Sequence, residues 1–159
     1  MWRCSVPTSP SSRGKLKAVA TPSDHYLLDA QVGFLLRVAM QRHTSIFMSR
    51  MVEQLTQTQF AALAKLYEVG PCSQNQLGRL IYLDAATIKG VVDRLSARGF
   101  VTALSDPKDR RRLAVALTAR GKSTTEAAIK VAAEITAETL GPLTAEEQRT
   151  VTRLLNKLS

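Results

Sequence analysis

Two five-residue apolar runs, Phe100–Leu104 and Leu113–Leu117, flank the segment Ser105-Asp106-Pro107-Lys108-Asp109-Arg110-Arg111-Arg112. Short apolar runs on either side of a Pro-containing turn segment predict a β-hairpin, here with a basic tip. That tip constrains the fold more than any other feature, because three consecutive arginines repel one another in a self-contained structure. Beside phosphates the same charges release counterions and fit a narrow minor groove. The plainer reading of such a charge run is a solvated surface.

What precedes the hairpin favours the first reading. Thr56 with Gln59 has capping-box spacing and opens a helix running to about Val69, where Gly70-Pro71 stops it. Ser73 with Gln76 repeats the spacing and opens a short helix carrying Leu77 and Leu80. After a tight turn, Asp84 caps another helix, with Ile88, Val91, Val92 and Leu95 on one apolar face and Gly99 at its C-terminal end. Two short helices meeting at a turn, directly before a basic hairpin, form a winged helix-turn-helix pattern. The same two helices without the hairpin would read equally well as an ordinary core-packed pair.

Longer helices flank this module. From Leu27 to about Gln54, Leu28, Val32, Leu35, Leu36, Ala39, His43, Ile46, Phe47 and Arg50 recur at helical spacing, with His43 a polar exception on a mostly apolar stripe. Thr118 caps a helix from about 119 to Leu140, Gly141-Pro142 breaks it, and Thr144 with Glu147 caps a last helix ending near Leu158. Residues 1–23 are rich in Ser, Thr and Pro, carry Arg3, Arg13, Lys15 and Lys17, and read as a mobile basic tail. The expected organisation is one domain over 24–159, with the winged module at about 56–118 and flanking helices at about 27–54 and 119–158. The fold class is mainly α with a small β-wing.

Bulk properties narrow the function. A formal net charge of +9 over 159 residues favours a polyanionic partner. Every apolar stretch is cut by charge well short of a membrane span, and the N-terminus lacks the apolar segment of a secretory signal, so a cytoplasmic protein without membrane association is expected. Cys4 and Cys72 have no CxxC spacing, which argues against a disulfide framework and a cysteine-based metal site. No phosphate-cradling loop, HExxH or nucleophile elbow is present, so neither a cofactor nor an enzyme is expected.

On the recognition helix, the face opposite the apolar one carries Ala86, Gly90, Asp93, Arg94 and Ala97. Ala86 and Gly90 let the backbone approach DNA, Thr87 and Lys89 supply donors to bases or phosphates, and Arg94 reaches a phosphate. Ser73, Gln74 and Asn75 at the preceding helix start, and Lys108, Arg110, Arg111 and Arg112 on the wing, complete the expected DNA-binding set. Asp109 is expected to orient Arg111 through a charge-assisted hydrogen bond, and Asp106 to stabilise the turn.

The sequence resembles the MarR family of winged-helix regulators. DPKDRRRLAVALTARG, residues 106–121, is similar to the family's wing, second wing strand and the Leu-Thr-x-x-Gly start of the next helix, and DAATIKGVVDRLSARGFV, residues 84–101, to its recognition helix. The likeness spans roughly residues 27–158. It implies a homodimer, with the terminal helices as dimerisation region, bound to a pseudo-palindromic double-stranded DNA operator, and repression as the mode of action. Many members are released by small phenolic or aromatic-acid ligands. A finer similarity, in GPCSQNQLGRL and DAATIKGVVDRL, is to regulators of aromatic and N-heteroaromatic acid catabolism, nicotinate breakdown among them.

The resemblance implies a ligand pocket between the DNA-binding module and the dimerisation helices. His43 is its candidate polar group, with Arg37 and Arg50 as carboxylate partners and Phe34, Phe47 and Phe60 as ring-packing walls. Against this stands a core histidine satisfied by a backbone carbonyl, with both arginines solvated. Cys72, just ahead of a helix start, raises a thiol-sensing alternative. It has no evident resolving partner, which favours an inert cysteine. An effector-independent architectural DNA-binding protein is the remaining alternative.

Overall fold

The computed structural model describes residues 27–105 and 113–158. The expected tail, including Cys4, and the wing-tip assignments at Asp106, Lys108, Asp109, Arg110, Arg111 and Arg112 therefore lie outside the described residues.

Among the described residues, six α-helices and two paired strands follow in the order α1 (Val32–Arg50), α2 (Gln57–Val69), α3 (Gln74–Leu80), α4 (Ala85–Ala97), β1 (Val101–Ser105), β2 (Leu113–Leu117), α5 (Ala119–Leu140) and α6 (Ala145–Leu155). This is the expected mainly helical fold with a small antiparallel wing. β1 pairs with β2 from Val101 opposite Leu117 to Ser105 opposite Leu113. Cys72 adds a one-residue third strand: its N–H donates to the Val115 carbonyl at 3.2 Å and its carbonyl accepts from Val115 N–H at 2.8 Å.

Capping sets most boundaries. Thr56 and Gln59 form a reciprocal capping box at α2, as do Thr144 and Glu147 at α6. Asp84 accepts from Ala86 and Thr87 N–H at α4, and Thr118 from Gly121 N–H at α5. Ser73 supplies only half a box: its hydroxyl accepts from Gln76 N–H, with no reciprocal bond from the Gln76 side chain among the described contacts.

The first helix is shorter than the sequence pattern predicts. Leu28–Ala30 is a separate 3-10 turn, Gln31 is extended, and α1 begins at Val32. At the other end Met51 is extended and Glu53 and Gln54 adopt left-handed φ of 54° and 50°. Arg98 Nη2 holds this turn by donating to the Glu53 carbonyl at 2.5 Å. The apolar periodicity continues through both breaks, so only these tertiary and backbone features reveal them.

The core gathers Phe47, Leu55, Leu63, Leu77, Ile88, Leu95 and Phe100 from α1 to β1, with Ala128 and Ile135 from α5. Burying each large aliphatic chain contributes about 2 kcal/mol. Leu80, expected beside Leu77, is instead exposed. The α1 stripe divides: Ile46 and Phe47 are buried in the core, whereas Val32, Leu35 and Leu36 are about half exposed. In α6 no residue is buried, and Leu154 and Leu155 are each about half exposed. Among the described residues, no helix is long and apolar enough to cross a membrane.

Candidate nucleic-acid interface and effector site

Helix α4 has two sharply different faces. Ile88, Val91, Val92 and Leu95 are buried, while Ala86, Thr87, Lys89, Asp93 and Arg94 are exposed and Gly90 is half-buried. A Cβ built on Gly90 would lie 3.3 Å from Arg94 Nη1, so the guanidinium lies back over the glycine. The Lys89 ammonium pairs with Asp93 at 2.6 Å. At α3, Ser73 and Asn75 are exposed and Gln74 is half-buried.

The start of α4 is more tightly organised than its sequence suggests. Asp84 Oδ1 accepts from Ala86 and Thr87 N–H, both at 2.9 Å, and Oδ2 accepts from the Thr87 hydroxyl at 2.6 Å. These bonds, the Thr87 hydroxyl foremost, hold the Asp84 carboxyl below the usual carboxylate range. In the turn before it, Tyr82 has a left-handed φ of 56° and is 86% exposed.

Two arginines brace the far end of α4. Arg98 and Arg120 each place a guanidinium within 5 Å of the buried Phe100 ring centroid, and both reach the Glu53 carboxylate, at 3.4 and 3.5 Å. Arg120 also donates to the Arg98 carbonyl at 3.1 Å. The turn after α1 is thereby tied to the recognition helix and to the start of α5. Sequence spacing carries no sign of this cluster, whose members lie up to 67 positions apart along the chain.

Of the six expected effector residues, the structure brings three together. His43 is half-buried, with its ring centroid 6.2 Å from that of Phe47, which lies 6.0 Å from Phe60. Its Nδ1 is 3.0 Å from the Thr139 hydroxyl on α5. That partner replaces the backbone carbonyl of the plainer reading. Phe34 and Arg37 form a separate cation–π pair, 5.1 Å apart, about two turns before His43 on α1. Arg50 is 2.6 Å from Glu138 and 3.7 Å from Glu134. Its charge is thus directed to α5 rather than left open for a ligand carboxylate.

Cys72 is buried within the small sheet, and desolvation pushes its thiol up from the ordinary value. Burial opposes the thiolate that a thiol sensor needs. Among the described residues no cluster of His, Cys, Asp or Glu is arranged to hold a metal ion.

The MarR family profile matches residues 55–113, from the end of the turn before α2 to the first residue of β2. The HTH-type transcriptional repressor NicR of Pseudomonas putida is 41% identical over 154 residues, covering 95% of this chain and 92% of NicR. A probable transcriptional regulator from Pseudomonas aeruginosa has a crystal structure with TM-score 0.81 and 50% identity, over 84% of this chain and all of that one. The Bordetella bronchiseptica protein BpsR, whose DNA binding is regulated by 6-hydroxynicotinic acid, aligns with TM-score 0.78 and 38% identity, over 84% of this chain and 96% of BpsR.

Proposed function

The chain belongs to the MarR family, and from that premise we propose that it is a homodimeric repressor released from its operator by a small N-heteroaromatic or aromatic acid. The observation that carries DNA binding is the division of α4: a fully packed inner face and an outer face of small and polar residues from Ala86 to Arg94. A helix with such an outer face enters the major groove with its first turns against base edges. Ser73, Gln74 and Asn75 meet phosphates beside it, and the basic run Lys108, Arg110, Arg111 and Arg112 supplies further positive charge for the DNA backbone and minor groove. A bacterial regulator of this kind acts in the cytoplasm, where the chromosome is.

Dimerisation accounts for what the single chain leaves uncovered. Leu28, Val32, Leu35 and Leu36 at the N-terminal end and Leu154 and Leu158 at the C-terminal end are 46–74% exposed. A symmetric pair buries both sets and sets two α4 helices about one DNA turn apart.

The acid class is supported by BpsR, whose DNA binding is regulated by 6-hydroxynicotinic acid, and the repressor mode by NicR. His43 supplies a polar group beside the Phe47 ring, which in turn meets Phe60, a row that suits a planar heteroaromatic acid. Phe34 with Arg37, and Arg50, belong to the ligand site only if binding redirects them from their present partners.

The test is release from the protein's own upstream intergenic DNA, using benzoate, salicylate, nicotinate and hydroxynicotinates. Wild type is expected to dissociate with a hydroxynicotinate. His43→Ala is expected to bind DNA like wild type while requiring about tenfold more ligand for release. Equal responses in the two proteins would remove His43 from the pocket, and specific binding indifferent to every compound would overturn the effector class.

A further inference from the structure

The Thr87 hydroxyl has no hydrogen left to offer DNA. Its Oγ1 lies 2.6 Å from Asp84 Oδ2, and an ionised carboxylate only accepts, so the hydroxyl is the donor. The low Asp84 pKa agrees with that direction. The other carboxylate oxygen is engaged by the two backbone N–H groups. A carboxylate has about four lone-pair positions, so three are occupied here. What this exposed pair presents outward is therefore acceptor capacity alone: the lone pairs of Thr87 Oγ1 and one on Asp84.

That polarity excludes most DNA partners. Phosphate oxygens, guanine O6 and N7, and thymine O4 are all acceptors, and a phosphate is further repelled by the carboxylate. In the major groove only the exocyclic amino groups, adenine N6 and cytosine N4, donate. The neighbouring cation does not change the balance, because Lys89 is directed along the helix to Asp93. Ala86, exposed beside the pair, leaves room for a base edge to approach.

The geometry points to Thr87 Oγ1, held as an acceptor by its bond to Asp84, as the reader that selects an amino-bearing base, adenine or cytosine, at one position of each operator half-site. This rests on the proposed docking of α4 in the major groove and goes beyond it by fixing which hydrogen-bond polarity the helix reads. It also revises the sequence expectation of Thr87 as a donor to bases or phosphates. The pair is more than a helix cap, since the two N–H bonds that cap α4 use the other carboxylate oxygen.

The experiment uses the full-length protein and an operator obtained by selection from random duplexes. At each half-site position adenine is replaced by purine, or cytosine by 2-pyrimidinone, deleting only the amino group. Wild type is expected to lose about tenfold in affinity at one position per half-site. Thr87→Val, checked for wild-type helicity, is expected to bind intact and deleted duplexes within about twofold of each other, and Thr87→Ser to restore the discrimination. Thr87→Val that keeps the wild-type dependence on the amino group overturns the proposal. So does a wild-type preference for guanine or thymine at a position that Thr87→Val abolishes. Wild type with no base preference anywhere would overturn the regulator reading itself, an outcome distinct from failure of the reader alone.

Discussion

Gly121→Ala is expected to destabilise the protein by at least about 3 kcal/mol. A Cβ at this position would sit 1.9 Å from the Phe100 carbonyl oxygen and 2.8 Å from its carbon. Both atoms are backbone and cannot rotate away. Relief requires lifting the first turn of α5 from β1, which breaks the 3.0 Å bond from Thr118 N–H to Phe100 and the 2.7 Å bond from its hydroxyl to Gly99. The sign is diagnostic, because Gly→Ala inside an unconstrained helix stabilises by up to about 1 kcal/mol. Urea denaturation of the two proteins measures the difference. A stability within about 0.5 kcal/mol of wild type would mean that the α5–β1 junction yields far more readily than its packing indicates.

Gly90→Glu is expected to do the opposite: leave the fold intact and reduce operator affinity at least about a hundredfold. The added Cβ meets only the mobile end of Arg94. Glu is also a better helix former than Gly, and four residues before an arginine it gains a favourable pairing. Stability should therefore equal or exceed that of wild type. On DNA the same side chain brings a carboxylate into the half-open stripe between Ala86 and Arg94, against phosphates and base edges. Titration of labelled operator, with thermal unfolding as control, separates the two effects. Operator binding at wild-type strength would mean that this face of α4 does not enter the groove.

The features legible in the sequence were those written locally. A capping residue and its partner three positions on share one helical turn, so Thr56 with Gln59 and Thr144 with Glu147, and the cap residue Asp84, announced helix starts that the structure reproduces. Gly99 likewise marked the end of α4, with a φ of 72° that suits glycine. The exposed face of α4 followed from period alone. Contacts between distant segments were not legible: Thr139 meets His43 across 96 positions, and Arg50 turns to Glu138 rather than to open space. The left-handed turn at Glu53 and Gln54 was also hidden, since neither residue type signals it and the apolar stripe runs on past it. At Thr87 the direction of the hydroxyl was not legible, because only its distance to Asp84 shows where the hydrogen goes.

The central claim, that this chain is a dimeric sequence-specific DNA-binding regulator, is tested most directly by footprinting the purified protein on its own upstream intergenic DNA in excess competitor, with mass measurement of the complex. The account predicts two protected half-sites centred about one helical turn apart, occupied by two copies of the chain, and binding that persists in competitor. Protection spread evenly along the duplex and removed by competitor or moderate salt would contradict it, leaving a charge-driven binder with no operator to regulate.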